Sequence, residues 1–169
     1  MTQKIMFQFP GQGSQAVGMG GSLAETFPVA RAVFEEINDA LGEDLFRLMQ
    51  DGPEDDLRLT RNAQPALFAA SMAALAVLKE KTGKDSSAMA SFVAGHSLGE
   101  YSALAAADTL AIGDAARLLR LRGDSMQDAV PAGEGAMAAI LGTEEAVIDE
   151  ITAEASAGGV IQLANDNAP

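Results

Sequence analysis

Five residues constrain the chain most: Gly95-His96-Ser97-Leu98-Gly99, a G-x-S-x-G sequence set between the apolar run 89–94 and the helix-forming Glu100-Tyr101-Ser102-Ala103-Leu104. Strand, glycine-bounded turn and helix in that order make a nucleophile elbow, which calls for a parallel sheet with its turns at the strands' carboxyl ends. The two glycines permit a turn that holds the serine in a strained backbone conformation, so its Oγ is expected above the sheet and not in the core. The following helix is expected to aim free N–H groups at the same spot, with the Leu98 N–H as an oxyanion donor. Loss of one such donor costs roughly 3 kcal/mol of transition-state stabilisation. A serine acting only as a helix N-cap would explain Ser97 but not both glycines.

The rest of the chain reads as the α/β scaffold that such an elbow needs. Residues 5–9 form a strand candidate ending at Pro10 and the Gly-rich turn Gly11-Gln12-Gly13-Ser14-Gln15. Pro28 opens a helix through Val33, Phe34, Ile37 and Leu41, with Gly42 as its stop, and a shorter helix spans 44–50. Residues 62–81 read as the most buried helix, with Asn62 as N-cap candidate, Pro65 in its first turn and Gly83 as terminator. A strand at 89–94, a helix from Ser97 and a helix over 114–130 complete a large domain over 1–132, a parallel sheet flanked by helices. Beyond it, 133–169 reads as strand 136–141, an acidic helix capped by Thr143 and strand 160–164. A two-stranded unit rarely forms a stable layer alone, so the chain is expected to stop in the middle of a subdomain.

Composition removes several classes of function. The 24 acidic residues against 11 Lys plus Arg give a net charge of -13, which repels nucleic acid and anionic membrane surfaces. The absence of cysteine excludes disulfides, thiolate nucleophiles and Cys-ligated metals, and suits a reducing cytoplasm. The first ten residues lack the pattern of a secretory signal, and the longest near-apolar stretch, 66–78, is too short to span a bilayer. A soluble protein, with no metal site, is expected.

Helical spacing sets Arg122 among Leu118, Leu119, Met126 and Ala129, with Arg117, Arg120 and Asp124 on the other side. An inward guanidinium needs an anion, and the residues alone leave two open: a carboxylate of the protein, or a bound anionic ligand held bidentately. His96 is the single histidine, and at a sharp turn beside Ser97 it is expected to point away from Oγ. No general base for the serine is visible, so the chain alone is expected to be nearly inactive. The loop from Gly11 to Ala16 also fits a dinucleotide-binding variant, G-x-G-x-x-A, with Glu35 or Glu36 downstream. Pro10 and the glycines at 18, 20 and 21 do not suit a helix opening tightly on a pyrophosphate. The acidic runs Glu54-Asp55-Asp56 and Glu144-Glu145 read as solvated helix starts.

Phe9-Pro10-Gly11-Gln12-Gly13-Ser14-Gln15, Gln64-Pro65-Ala66-Leu67, the segment from Gly95 to Leu104, and Arg122-Gly123 with Met126-Gln127 together resemble the malonyl-CoA:acyl carrier protein transacylase family of fatty acid synthesis. Gly135-Ala136-Met137-Ala138-Ala139-Ile140 extends the resemblance into the start of that family's small ferredoxin-like subdomain, and the large domain is then α/β-hydrolase-like. The resemblance implies that Ser97 takes malonyl from malonyl-CoA as an ester and passes it to the phosphopantetheine thiol of acyl carrier protein. It implies oxyanion donors at the Gln12 and Leu98 N–H groups, a malonyl carboxylate clamp at Arg122, and Gln64 and Met126 beside the pocket. His96 matches a position that is not the general base. In the family the histidine that activates the serine lies beyond the small subdomain, so the chain is expected to be an amino-terminal fragment of a cytoplasmic enzyme, monomeric when complete and without a cofactor. Two other readings share the elbow: a serine esterase or thioesterase, and a catalytically silent module binding coenzyme A thioesters or carrier protein.

Overall fold

In the computed structural model, which describes residues 4–130, 134–138 and 140–166, the first strand β1 (Met6–Phe9) pairs in parallel with β2 (Phe92–Gly95). The register sets Met6 against Phe92 and Phe9 against Gly95, so both carboxyl ends, and the two glycine-rich turns that follow, lie side by side. Between the strands run α1 (Gly21–Thr26), α2 (Pro28–Leu41), α3 (Leu45–Asp51), α4 (Glu54–Arg58), α5 (Thr60–Thr82) and α6 (Ser86–Met89). After β2 come α7 (Gly99–Ala106), α8 (Ile112–Ala129) and α9 (Glu145–Ala155). The architecture is α/β, helix-rich around a small parallel sheet.

Local chemistry explains several element ends. Pro28 sits at the start of α2, and Gly42 and Gly83 close α2 and α5 in the left-handed conformation, at φ 67° and 63°, where a Cβ is costly. Asp44 caps α3 by accepting a hydrogen bond from the Arg47 N–H at 3.0 Å. The core is a helix sandwich: α5 packs on α2 and α8 around Phe34, Ile37, Leu57, Phe68 and Leu119, all buried. More buried residues lie on α5 than on any other described helix.

Several expectations are corrected. The long helix starts at Thr60, not Asn62; the Asn62 side chain instead donates to the Asp56 carbonyl at 2.8 Å, tying α5 to the end of α4. The short helices α1 and α6 were not anticipated, since six and four residues carry too little period to read, whereas α4 begins at Glu54, where the acidic run was read as a helix start. The run 89–94 divides into the end of α6 and β2. The face of α8 is also rotated from the expected one. Its buried residues are Ala115, Ala116, Leu119 and Gly123, while Leu118 and Met126 are 42% and 43% exposed. Small side chains let the helix axes approach, so contact follows the Ala/Gly seam and leaves the bulkier Leu118 outside.

The chain divides into two compact units, Met1–Ala132 and Gly133–Pro169. Within the second, the expected strands at 136–141 and 160–164 are not formed at any described residue; Ala139 lies outside the described residues. A strand needs a hydrogen-bonded neighbour, and none is formed there among the described residues. The helix starts at Glu145 with Glu144 at its N-cap and no side-chain cap bond, so Thr143 does not cap it. No residue of α9 is buried.

Candidate active site

The elbow is built by exclusion of side chains. A Cβ on Gly95 would lie 1.9 Å from the Gly99 carbonyl oxygen, and one on Gly99 would lie 2.4 Å from the Phe9 carbonyl oxygen. Both positions therefore admit only glycine, the first to close the turn and the second to let α7 cross the end of β1. Ser97 between them takes φ 53°, a left-handed conformation uncommon for a residue with a side chain. Such strain persists only when the surroundings impose it, and here they are backbone on both sides.

The donors at the turn differ from the expectation. The Gly99, Glu100 and Tyr101 N–H groups donate back to the His96, Ser97 and Leu98 carbonyls at 2.8, 3.1 and 3.1 Å. The helix start therefore does not present a row of free donors. The Leu98 N–H is left without an acceptor among the described residues, and the Leu98 side chain is buried. On the neighbouring turn, a Cβ at Gly11 would meet the His96 ring at 2.5 Å and the His96 carbonyl at 3.2 Å, so this loop lies against the elbow. The next residue, Gln12, is anchored by its side chain, whose Nε2 donates to Thr60 Oγ1 at 3.3 Å, and its own N–H has no acceptor among the described residues. The first helix after this loop begins only at Gly21, so the loop does not open a helix onto a phosphate as a dinucleotide site would.

Arg122 reaches Ser97 from the other side. Its Nη2 donates to Ser97 Oγ at 3.1 Å, and its Nη1 donates to Gln64 Oε1. Gln64 is fully buried on α5, and its Nε2 meets Met126 Sδ at 3.4 Å. Four of the residues singled out from sequence, Ser97, Arg122, Gln64 and Met126, thus form one connected chain of contacts. Arg122 is half-buried rather than buried, and it pairs with no carboxylate among the described residues. Its partners are a neutral amide and a hydroxyl, so no carboxylate among the described residues pairs with the positive charge at the serine. A hydroxyl held beside an uncompensated guanidinium is suited to an acyl donor that carries its own carboxylate.

Two residues that sequence reasoning passed over define how α8 and α5 meet. Gly123, next to Arg122, is buried where a Cβ would stand 2.6 Å from the Arg61 Cα and 2.9 Å from the Thr60 carbonyl oxygen. Arg120, expected on the solvent side, has a side chain only 13% exposed and pairs with Glu43. Burial holds its pKa below the ordinary arginine value, against the opposing effect of the Asp124 carboxylate. Gly123→Ala tests the seam. Alanine gains about 1 kcal/mol of helix propensity, but overpacking against rigid backbone costs about 3 kcal/mol. A net loss near 2 kcal/mol is expected in urea unfolding, and an unchanged or raised midpoint would contradict the close approach.

Two surface grooves, of about 560 and 310 Å³, lie around Glu43 and Asp44, away from Ser97. Both are wide open and neither includes an elbow residue, so the geometry at Ser97 is the better guide to chemistry. No cluster of metal-ligating side chains occurs among the described residues, and no described helix is long and apolar enough to cross a membrane.

Residues 6–160 match the family model described as "Acyl transferase domain". The chain is 48% identical over 167 residues to a protein of Bacillus subtilis named malonyl CoA-acyl carrier protein transacylase, covering 98% of this chain and 51% of the relative. A crystal structure of the acyl-carrier-protein S-malonyltransferase of Bartonella henselae superposes with a TM-score of 0.90 at 53% identity, over 98% of this chain and 52% of that one. A malonyl-transacylase in complex with a type II PKS acyl-carrier protein superposes with a TM-score of 0.84 at 47% identity, over 94% and 50%. The chain spans about half the length of the curated relatives it matches.

Proposed function

The chain belongs to the acyl transferase domain family, and from that premise we propose that it carries the nucleophile half of a transferase moving malonyl from malonyl-CoA to acyl carrier protein in fatty acid biosynthesis. The observation that carries this reading is Arg122, hydrogen-bonded to Ser97 Oγ and paired with no carboxylate among the described residues. A malonyl thioester supplies that carboxylate, and the guanidinium fork then sets the thioester carbonyl beside Oγ. Gln64 orients the fork from behind, and Met126 lines the apolar side.

Ser97 Oγ attacks the thioester carbonyl and its proton passes to a general base. The C–S bond breaks, coenzyme A leaves as the thiol, and malonyl remains as an ester on Ser97. The phosphopantetheine thiol of the carrier then attacks that ester, and Ser97 is regenerated. The Leu98 and Gln12 N–H groups are the proposed donors to the oxyanion of both tetrahedral intermediates. The base is proposed to lie in the half of the relatives without counterpart here, because His96 is the only histidine in the chain. The reaction balances without a cofactor.

Acyl carrier protein is the proposed partner, and an acidic carrier would need a basic patch on this acidic chain. Among the basic side chains of residues 58–84, which are Arg58, Arg61, Lys79, Lys81 and Lys84, Arg58 pairs with Glu54, Arg61 with Asp124 and Lys79 with Asp108, while Lys81 lies over the Phe27 ring. Lys81 and Lys84 therefore carry the charge least engaged by the protein's own acids. We also propose that 1–132 is the large acyltransferase domain and 133–169 the opening of the ferredoxin-like subdomain of a cytoplasmic enzyme, monomeric when complete.

The test is a hybrid joining residues 1–169 to the remaining half of the Bartonella henselae protein. Incubated with malonyl-CoA and holo-carrier, it should yield malonyl-carrier by mass. Release of free malonate without transfer would point to a thioesterase, and binding without turnover to a silent module.

A further inference from the structure

Pro65 breaks a hydrogen bond in α5 immediately after Gln64, and the group it leaves unpaired is the Arg61 carbonyl four residues back. A helix carbonyl that has lost its intrahelical donor takes another partner, and here that partner comes from another helix. Arg120 Nη1 donates to the Arg61 carbonyl at 2.7 Å and to Asn62 Oδ1 at 2.6 Å, while its Nη2 pairs with Glu43 just past the end of α2. One guanidinium thus ties α8 to the first turn of α5 and to the end of α2.

Arg122 stands two residues after Arg120 on α8, and Gln64 three after Arg61 on α5. A helix rises about 1.5 Å per residue, so a slip of one residue at this junction would take Arg122 Nη1 out of hydrogen-bond range of Gln64. Gly123 sets how closely the helices approach, but a smooth contact does not fix sliding. The directional bonds of Arg120 do.

We propose that Arg120 is a positioning residue: by capping the carbonyl that Pro65 leaves open, it locks the register of α8 on α5 and so holds Arg122 and Gln64 together to receive a carboxylate. This rests on the carboxylate-clamp reading of Arg122. Arg120 takes no part in binding, since its own charge is matched by Glu43.

The test uses the 169-residue chain and monomethyl malonate, a carboxylate analogue of the malonyl thioester, with the uncharged dimethyl malonate as control. Binding is followed by NMR through the backbone N–H signals of Ser97 and Leu98, which every variant keeps. Arg120→Met is expected to weaken monomethyl malonate about tenfold in the folded protein. Arg120→Lys keeps the charge but cannot reach Glu43 and both α5 acceptors together, so it should lose about fivefold on the same grounds. Should Arg120→Met fail to fold, Arg120→Lys and Asn62→Ala give the same reading. In an Arg122→Ala background the Arg120 substitutions should change nothing further. Lower thermal stability with unchanged affinity would reduce Arg120 to a structural role, and wild-type affinity in Arg120→Lys alone would assign the effect to charge; either overturns the proposal. If the parent chain does not distinguish monomethyl malonate from dimethyl malonate, the clamp reading itself falls, and this proposal with it.

Discussion

Ser97→Ala in the hybrid enzyme is expected to remove the malonyl adduct seen by intact mass and to lower transfer by a factor of about 10⁴ or more, as loss of a nucleophile does elsewhere. The effect should be chemical and not structural. Serine at φ 53° already carries a Cβ, so alanine adds no strain and loses only the Oγ that accepts from Arg122. Thermal unfolding of the variant should therefore stay close to that of the parent. An adduct that persists in Ser97→Ala would move the nucleophile elsewhere.

Arg122→Ala should divide substrates by charge. Truncating one partner of a hydrogen-bonded charge pair costs 2–5 kcal/mol when buried, and half-burial puts Arg122 at the lower end. A loss of about 2–3 kcal/mol, roughly 30- to 150-fold in kcat/KM, is expected for malonyl-CoA. Acetyl-CoA has no carboxylate to lose, and the variant also removes the donor that occupies Ser97 Oγ in the ligand-free site. Its transfer should stay within about threefold of the parent. Equal losses for the two substrates would refute the clamp.

What could be read from the sequence was whatever backbone sterics alone decide. The glycines at 95 and 99 leave no room for another residue, and those at 42 and 83 end their helices in a conformation that side chains avoid. The seam of α8 could not be read in this way. Leu118 and Met126 outweigh Ala115 and Gly123 on any scale of hydrophobicity, yet closeness of packing and not residue size chose the buried face. Arg122 was found with Met126 by a helical-spacing argument that placed it too deep, and Gln64 came from family resemblance. Asn62 looked like a cap because Asn commonly is one. Its actual partners, the Asp56 carbonyl and Arg120, lie in other elements that no local pattern reveals. The expected strands of the second unit failed for the complementary reason: a short apolar run is an offer to pair, and pairing depends on a neighbour.

The parallel register of β1 and β2 also carries a consequence for how the chain comes to be reactive. Met6 finds Phe92 only across six intervening helices, whose contacts are more local and whose loops are cheaper to close. Non-local pairing is the slow step in chains of this kind, so the helices are expected to assemble before the strands meet. Gly99 lies against the Phe9 and Pro10 carbonyls, which means the turn holding Ser97 reaches its strained form only when that last pairing is made. A nascent or half-folded chain therefore presents an ordinary serine, and its chemistry is switched on by the completion of folding.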